Sequence, residues 1–293
     1  MKKKCLHLIL LGLVIHTTLA QDIYLEKIWE TDSVFSRPES VVYDSQRQRL
    51  YVSNYNGLPK QGEIANDFIS IISLDGEILK KKWITGLRAP TGLLIESDYL
   101  YIVERDGISK YDIKSKTLIE KMLVEKPGFL NDISSNGTDE IYFSDTSFRN
   151  PKESTISKIR NGQIEMVVKD SINSANGLLF EKGHLIVGNS GSRLLTKVEI
   201  GSNKIVNNIQ LEKGIIDGIK RFDENNYLVS HWEGRLFLVS DNGQVFQLLN
   251  TSNDKMNIAD FEYINELKLI IIPTYLGMKV TAYKIKKNNY QLK

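Results

Sequence analysis

Residues 175–178 read Ala175-Asn176-Gly177-Leu178, and the apolar run Leu185–Gly188 follows after a short polar turn. A polar side chain, a small residue and an apolar stretch bounded by turn formers describe a short buried strand entered through a tight corner. The same order recurs along the chain. Pro38-Glu39-Ser40-Val41 precedes Arg49–Ser53, Pro90-Thr91-Gly92-Leu93 precedes Leu100–Val103, and Leu130-Asn131-Asp132-Ile133 precedes Glu140–Ser144. Ile216-Asp217-Gly218-Ile219 precedes Tyr227–His231, and Ala259-Asp260-Phe261 precedes Leu267–Ile272. From Glu39 to Asp260 the steps lie between 40 and 52 residues, which makes six units. Asp75-Gly76, Asn161-Gly162 and Asn242-Gly243 sit between apolar runs further along their units, as the two positive φ angles of a type I′ turn require. Each unit therefore reads as four antiparallel strands, the last two joined by that turn.

Helical periodicity is nearly absent and no heptads occur. Six units of four strands at this period predict an all-β, six-bladed propeller. The segment Ile23–Thr31 alternates well enough to be the strand that pairs into the last blade and closes the ring, which protects an edge. A β-sandwich of similar size leaves unexplained why a polar residue recurs at one register in every unit.

The N-terminus sets the expected compartment. Met1-Lys2-Lys3-Lys4 is a positive region, Cys5 to Ile15 is mostly apolar, and Thr18-Leu19-Ala20 offers small residues at the positions a signal peptidase reads. The apolar run is short for a membrane span, and Cys5 precedes it, so neither a retained anchor nor a lipid attachment is expected. Residues 1–20 read as a signal peptide and 21–293 as a single propeller domain, periplasmic or secreted, of bacterial character. The whole chain has 293 residues, 38 basic and 36 acidic side chains, four histidines and one cysteine. Cleavage removes three lysines, Cys5, His7 and His16, leaving a near-neutral domain with no thiol and only His184 and His231. That excludes a disulfide, a thiolate metal centre and a nucleic-acid partner held by charge.

In a propeller the first strand of each blade lines the central channel. The residues that open those strands, Glu39, Thr91, Asn131, Asn176, Asp217 and Asp260, form a ring of oxygen-bearing side chains with three carboxylates. Any one of them alone reads more readily as a turn cap, since Asn and Asp are favoured there. Together at one register they point to a shared site, where a bound cation would relieve the repulsion. Carboxylate and amide oxygens suit a hard ion such as calcium.

Four of these motifs, Pro38-Glu39-Ser40, Leu130-Asn131-Asp132, Asn176-Gly177-Leu178 and Asp217-Gly218-Ile219, resemble in order and spacing the signatures of the SMP-30/gluconolactonase/LRE-like (regucalcin-like) family. The resemblance spans the whole chain after the signal. It implies a six-bladed propeller that binds one divalent metal in the channel, calcium first, with zinc, manganese or magnesium as alternatives, and that opens a lactone or related ester. Carried over motif by motif, Glu39, Asn176 and Asp217 would be the metal ligands. Asn131 would be a catalytic neighbour and substrate contact, Asp217 would also orient or deprotonate water, and Asp132 would give support from behind. Sugar-lactone members commonly carry an arginine where this chain has Phe129, so Phe129 and Thr91 become the expected substrate contacts and a more apolar substrate is implied. Asp260 is an additional carboxylate, expected as a further or water-bridged ligand or a structural cap.

Other features point less far. His231, in Ser230-His231-Trp232, is expected as a hydrogen-bonded strand-end histidine rather than a general base, and His184 as an exposed turn residue. No G-x-S-x-G elbow, phosphate-cradling loop or H-E-x-x-H occurs. The basic tail Lys284-Ile285-Lys286-Lys287 reads as a solvated strand end. Tyr55, Phe148, Trp232 and Tyr275 follow inner strands, as core aromatics or as the walls of a ligand pocket. The expected partner is a small-molecule lactone or ester, with no obligate protein partner. The alternative is a non-catalytic exported propeller that binds a small molecule or protein, with the metal as a structural pin.

Overall fold

The structure, a computed structural model, describes residues 23–57, 65–169, 172–212, 214–254 and 256–288. The expected signal peptide at 1–20 lies outside the described residues. Six four-stranded antiparallel sheets follow one another along the chain, and the only helical turns among the described residues are short 3₁₀ segments at Pro151–Glu153, Ser252–Asp254 and Asn265–Leu267. No helix among them is long and apolar enough to cross a membrane. The protein is a six-bladed β-propeller.

The innermost strands are Pro38–Asp44, Leu93–Glu96, Leu130–Ser135, Ala175–Glu181, Ile216–Arg221 and Glu262–Ile264, in blades 1 to 6. Each pairs with the apolar run predicted after its motif, the sixth being Leu269–Thr274 with Leu267 in the preceding 3₁₀ turn. Ile23–Glu30 pairs antiparallel with Lys279–Lys287 and completes blade 6, as its alternation predicts. The core divides into six apolar clusters, one at each seam between neighbouring blades. Tyr51, Ile69, Leu93 and Leu100 join blades 1 and 2, for example, and Leu50, Val52, Ile271 and Val280 join blade 6 back to blade 1. Radial sheets that present two apolar faces bury both against their neighbours, so ring closure leaves no sheet face unpartnered.

The predicted type I′ geometry holds at one of the three turns. Asn161 and Gly162 have φ of 51° and 71°. At Asp75-Gly76 and Asn242-Gly243 only the glycine is left-handed. There the Ser73 N–H bonds to the Glu77 carbonyl and the Ser240 N–H to the Gln244 carbonyl, closing three-residue loops. With one more residue in the loop, a single left-handed glycine reverses the chain.

The small residue of the repeated motif has a steric cause. A Cβ on Gly177 would sit 1.7 Å from the Asp217 carbonyl oxygen, and one on Gly92 2.7 Å from that of Asn131. At these two positions the inner strands of adjacent blades approach too closely for a side chain, and glycine permits the contact.

Candidate functional site

Four inner strands break register at their opening residues: between Pro38 and Val41, Leu130 and Ile133, Ala175 and Leu178, and Ile216 and Ile219. A β-bulge spends a residue outside the ladder and re-aims its side chain. The bulged pairs are Glu39-Ser40, Asn131-Asp132, Asn176-Gly177 and Asp217-Gly218. Thr91 and Asp260 precede their strands without such a slip. Backbone geometry thus separates four of the six ring residues from the other two.

The bulges are held by hydroxyls. The Asp132 N–H donates to Ser144 Oγ, which donates to the Asn176 carbonyl of the next blade. The Gly218 N–H likewise donates to Ser230 Oγ, which donates to the Ala259 carbonyl. Asp132 accepts the N–H of Leu178 at 2.6 Å, so its carboxylate fixes the strand that carries Asn176.

Glu39, Asn131, Asn176 and Asp217 are buried and line one cavity of about 300 Å³, under walls of Phe129, Phe148, Ile215, Trp232 and Tyr275. The rings pair across the mouth, with Phe129 and Phe148 centred 5.3 Å apart and Trp232 and Tyr275 5.1 Å apart. The Phe129 loop is rigid, because Asp145 accepts the N–H groups of Gly128 and Phe129 at 2.8 and 2.7 Å. Phe129 and Phe148 are 37% and 46% exposed, an apolar rim over a polar floor. Thr91 lies to one side, its hydroxyl donating to the Leu130 carbonyl.

The floor is electrostatically loaded. Burial, then the charges of Asp217, Asp260 and Asp132, push the Glu39 carboxyl well above its usual range. Burial and the charges of Asp260 and Asp132 do the same to Asp217, against the pull of the adjacent Asn176 amide. Asp132 rises to about 7, through burial and then Asp260. Glu39 Oε2 and Asn176 Oδ1 are buried acceptors with no hydrogen-bond partner among the described residues. Orphaned buried acceptors are uncommon and costly. Two carboxylates with two amides at one cavity floor match the donor chemistry of a hard divalent ion. Among the described residues no group of three His, Cys, Asp or Glu side chains is placed to hold a metal, so the amide oxygens are needed to complete any such set.

Lys220 is a member of the channel that the motifs did not reveal. Its ammonium lies 3.4 Å from Asp260 Oδ1, with a quarter of the side chain exposed. Burial alone would lower its proton affinity, but Asp260, Glu262 and Asp132 hold it above the usual lysine value. Asp260 also accepts the Ser40 hydroxyl at 2.6 Å. Asp260 is therefore partnered by an ammonium and a hydroxyl of the chain itself. The carboxylates of the ring fall into two groups, one neutralised by Lys220 and one, Glu39 with Asp217, with no cationic side chain recorded against it among the described residues.

His231 differs from expectation. It is fully buried, neither ring nitrogen has a hydrogen-bond partner among the described residues, and it packs edge-on against Phe237 with centroids 4.8 Å apart. It does not line the cavity. The imidazole is held by packing, which strand position alone does not reveal. Burial, then Arg235, lowers its pKa from 6.5 to about 4. A depressed histidine contributes stability that is whole above its unfolded pKa and lost as pH falls towards the folded value. Between pH 7 and pH 4 the native protein should therefore lose about 3 kcal/mol more than a His231→Leu variant, read from urea midpoints at each pH. Parallel profiles would show that the imidazole stays uncharged or solvated on unfolding. His184 is partly exposed, its Nδ1 2.9 Å from the Lys182 carbonyl.

No protein-family model matches the sequence, and no curated protein matches it. Solved structures share its shape. Virginiamycin B lyase from Staphylococcus aureus superposes with a TM-score of 0.65 at 12% identity, over 90% of this chain and 99% of that one. A streptogramin B lyase gives 0.64 at 12% identity, over 93% and 100%. A luciferin-regenerating enzyme gives 0.60 at 13% identity, over 92% and 96%. At such identity the likeness concerns the fold alone.

Proposed function

We propose that the protein is a hydrolase that opens a lactone or related ester at the channel mouth, with Glu39, Asn176 and Asp217 holding one divalent cation and Asn131 beside them. The observation that carries this reading is the pair of unpartnered buried acceptors, Glu39 Oε2 and Asn176 Oδ1, at the floor of an aromatic-walled cavity. Calcium fits the oxygen donors first, with zinc, manganese or magnesium as alternatives. When bound, such an ion supplies Lewis-acid polarisation of the scissile carbonyl.

The side chains supply the rest. Phe129, Phe148 and Trp232 take the apolar body of the substrate and exclude water from the floor. The Asn131 amide donates a hydrogen bond to the carbonyl oxygen as it gains negative charge. Asp217 acts as the ionised carboxylate, the form favoured when the cation is held. Its buried surroundings raise its affinity for the proton it receives from water as the water oxygen bonds to the acyl carbon. The acyl–oxygen bond then breaks, and the departing alkoxide takes that proton back, which returns Asp217 to its starting state. Export through the signal peptide would place this activity in the periplasm or outside the cell.

The test is a panel of lactones and aryl esters incubated with the mature chain, first with chelator and then with each cation. Turnover should fall about 100-fold or more on chelation and return with one of the ions, at a stoichiometry of about one per chain. A protein that binds the ion but opens no member of the panel would instead be a binding propeller with a structural metal. One that binds no ion would overturn the floor assignment.

A further inference from the structure

Beside the main cavity lies an annex of about 180 Å³, lined by Tyr55, Ala89, Pro90, Thr91 and Arg105 and sharing Glu39, Phe129 and Tyr275 with the main cavity. Most of this lining is apolar. Arg105 is its one basic side chain, and no ion pair engages it among the described residues.

The acidic neighbours of Arg105 are engaged elsewhere. Glu104 is buried, accepts the Arg88 N–H at 2.8 Å and pairs with Lys121 at 3.1 Å. Asp106 pairs with Lys121 at 2.9 Å and with Arg88 at 3.8 Å. No carboxylate among the described residues pairs with the Arg105 guanidinium. Arg37, whose guanidinium carbon lies 5.8 Å from the centre of the Tyr55 ring, adds a second positive group on that side.

The annex is also pre-built. The Arg105 N–H donates to the Arg88 carbonyl and the Thr91 N–H to the Val103 carbonyl, each at 2.9 Å. The buried carboxylate of Asp67 accepts the N–H of Ala89, whose φ is +47°, and that of Asn56, both at 2.6 Å. Two buried acids, Asp67 and Glu104, thus clamp the backbone on which the annex stands. An exposed guanidinium with no carboxylate paired to it among the described residues, on a fixed corner at the rim of the annex, favours a planar anion, because its fork meets both carboxylate oxygens.

We propose that the annex is a carboxylate subsite and that Arg105 is a specificity-determining residue. The favoured ligand carries an apolar ring against Phe129 and Tyr275 and a carboxylate that pairs with Arg105. Its use in turnover rests on the hydrolase reading above, with the ester group over the Glu39, Asn131, Asn176 and Asp217 floor. Arg105 itself takes no part in bond making or breaking.

Matched probes separate the two claims. Phthalide-5-carboxylate and phthalide-5-carboxamide have nearly the same shape and differ in charge. Binding to the mature chain is measured by calorimetry, and ring opening is followed separately. The wild type should bind the carboxylate about tenfold or more tightly than the amide, with a preference that weakens as salt rises. Arg105→Ala should abolish the preference and leave amide affinity and thermal stability unchanged, while Arg105→Lys should keep part of it. Equal affinity for both probes, binding of neither, or a preference that survives Arg105→Ala would overturn the subsite. Preferential binding of the carboxylate without ring opening of either probe supports the subsite and counts against the hydrolase reading. Ring opening without charge preference does the reverse.

Discussion

Lys220→Met should destabilise the protein by about 3–5 kcal/mol at neutral pH, the range for a buried ion pair that loses one partner. The ammonium faces Asp260 at 3.4 Å and is further stabilised by Glu262 and Asp132. Methionine fills much the same volume and removes only the charge. Asp260 would keep the Ser40 hydroxyl but lose its cation, and Asp132, already raised to about 7 with Lys220 opposing the rise, would rise further. Because Lys220 has a raised proton affinity in the fold, its contribution is complete below the unfolded lysine value, and so throughout the ordinary working range. The variant's deficit should shrink as pH falls and the abandoned carboxylates take up protons. Urea unfolding of both proteins at pH 5 and pH 8 measures this. A deficit below about 1 kcal/mol at pH 8 would mean that water already neutralises these groups, and the division of the ring into a lysine-served and an unserved half would fail.

The propeller was legible because its repeating signal has a steric origin. Gly92, Gly177 and Gly218 recur because neighbouring inner strands leave no room for a Cβ, and the polar residue before each glycine recurs because it faces the channel. The same logic brought Glu39, Asn131, Asn176 and Asp217 to one cavity. What remained hidden lies in contacts between blades. Lys220 stands beside Arg221 in the sequence and looks like a charged strand end; its partner Asp260 is 40 residues away on the next blade. Arg105 is likewise unremarkable in sequence, since its meaning depends on Glu104 and Asp106 being paired with Lys121. The bulges that separate four ring residues from Thr91 and Asp260 leave no composition trace, because a register slip changes pairing and not residue type. Nor did residue type distinguish the closed Asn161-Gly162 turn from the longer loops at Gly76 and Gly243.

Asp217→Asn should have opposite effects on stability and on activity. The carboxyls of Glu39 and Asp217 both have raised proton affinities in the fold, through burial first and neighbouring carboxylates second. A raised carboxyl stabilises the fold fully below its unfolded value, and that contribution is lost as pH climbs through the folded one. The cation-free wild type should therefore lose stability from about pH 5 to pH 8. The substituted amide carries no charge and relieves Glu39, so the variant should unfold at a higher temperature at pH 8. Calcium should reverse the order. A cation displaces protons from the wild-type floor, so the calcium-induced rise in Tm should grow with pH, whereas the variant should show little rise at any pH. Turnover of whichever lactone or ester the wild type opens should fall about 10²- to 10⁴-fold, because the proton acceptor for water is gone. This trade of stability for function is expected where like charges are held together for chemistry. A variant that gains no stability without cation, responds to calcium as the wild type does, or keeps more than a tenth of the activity would show that Asp217 serves the channel wall and not the site.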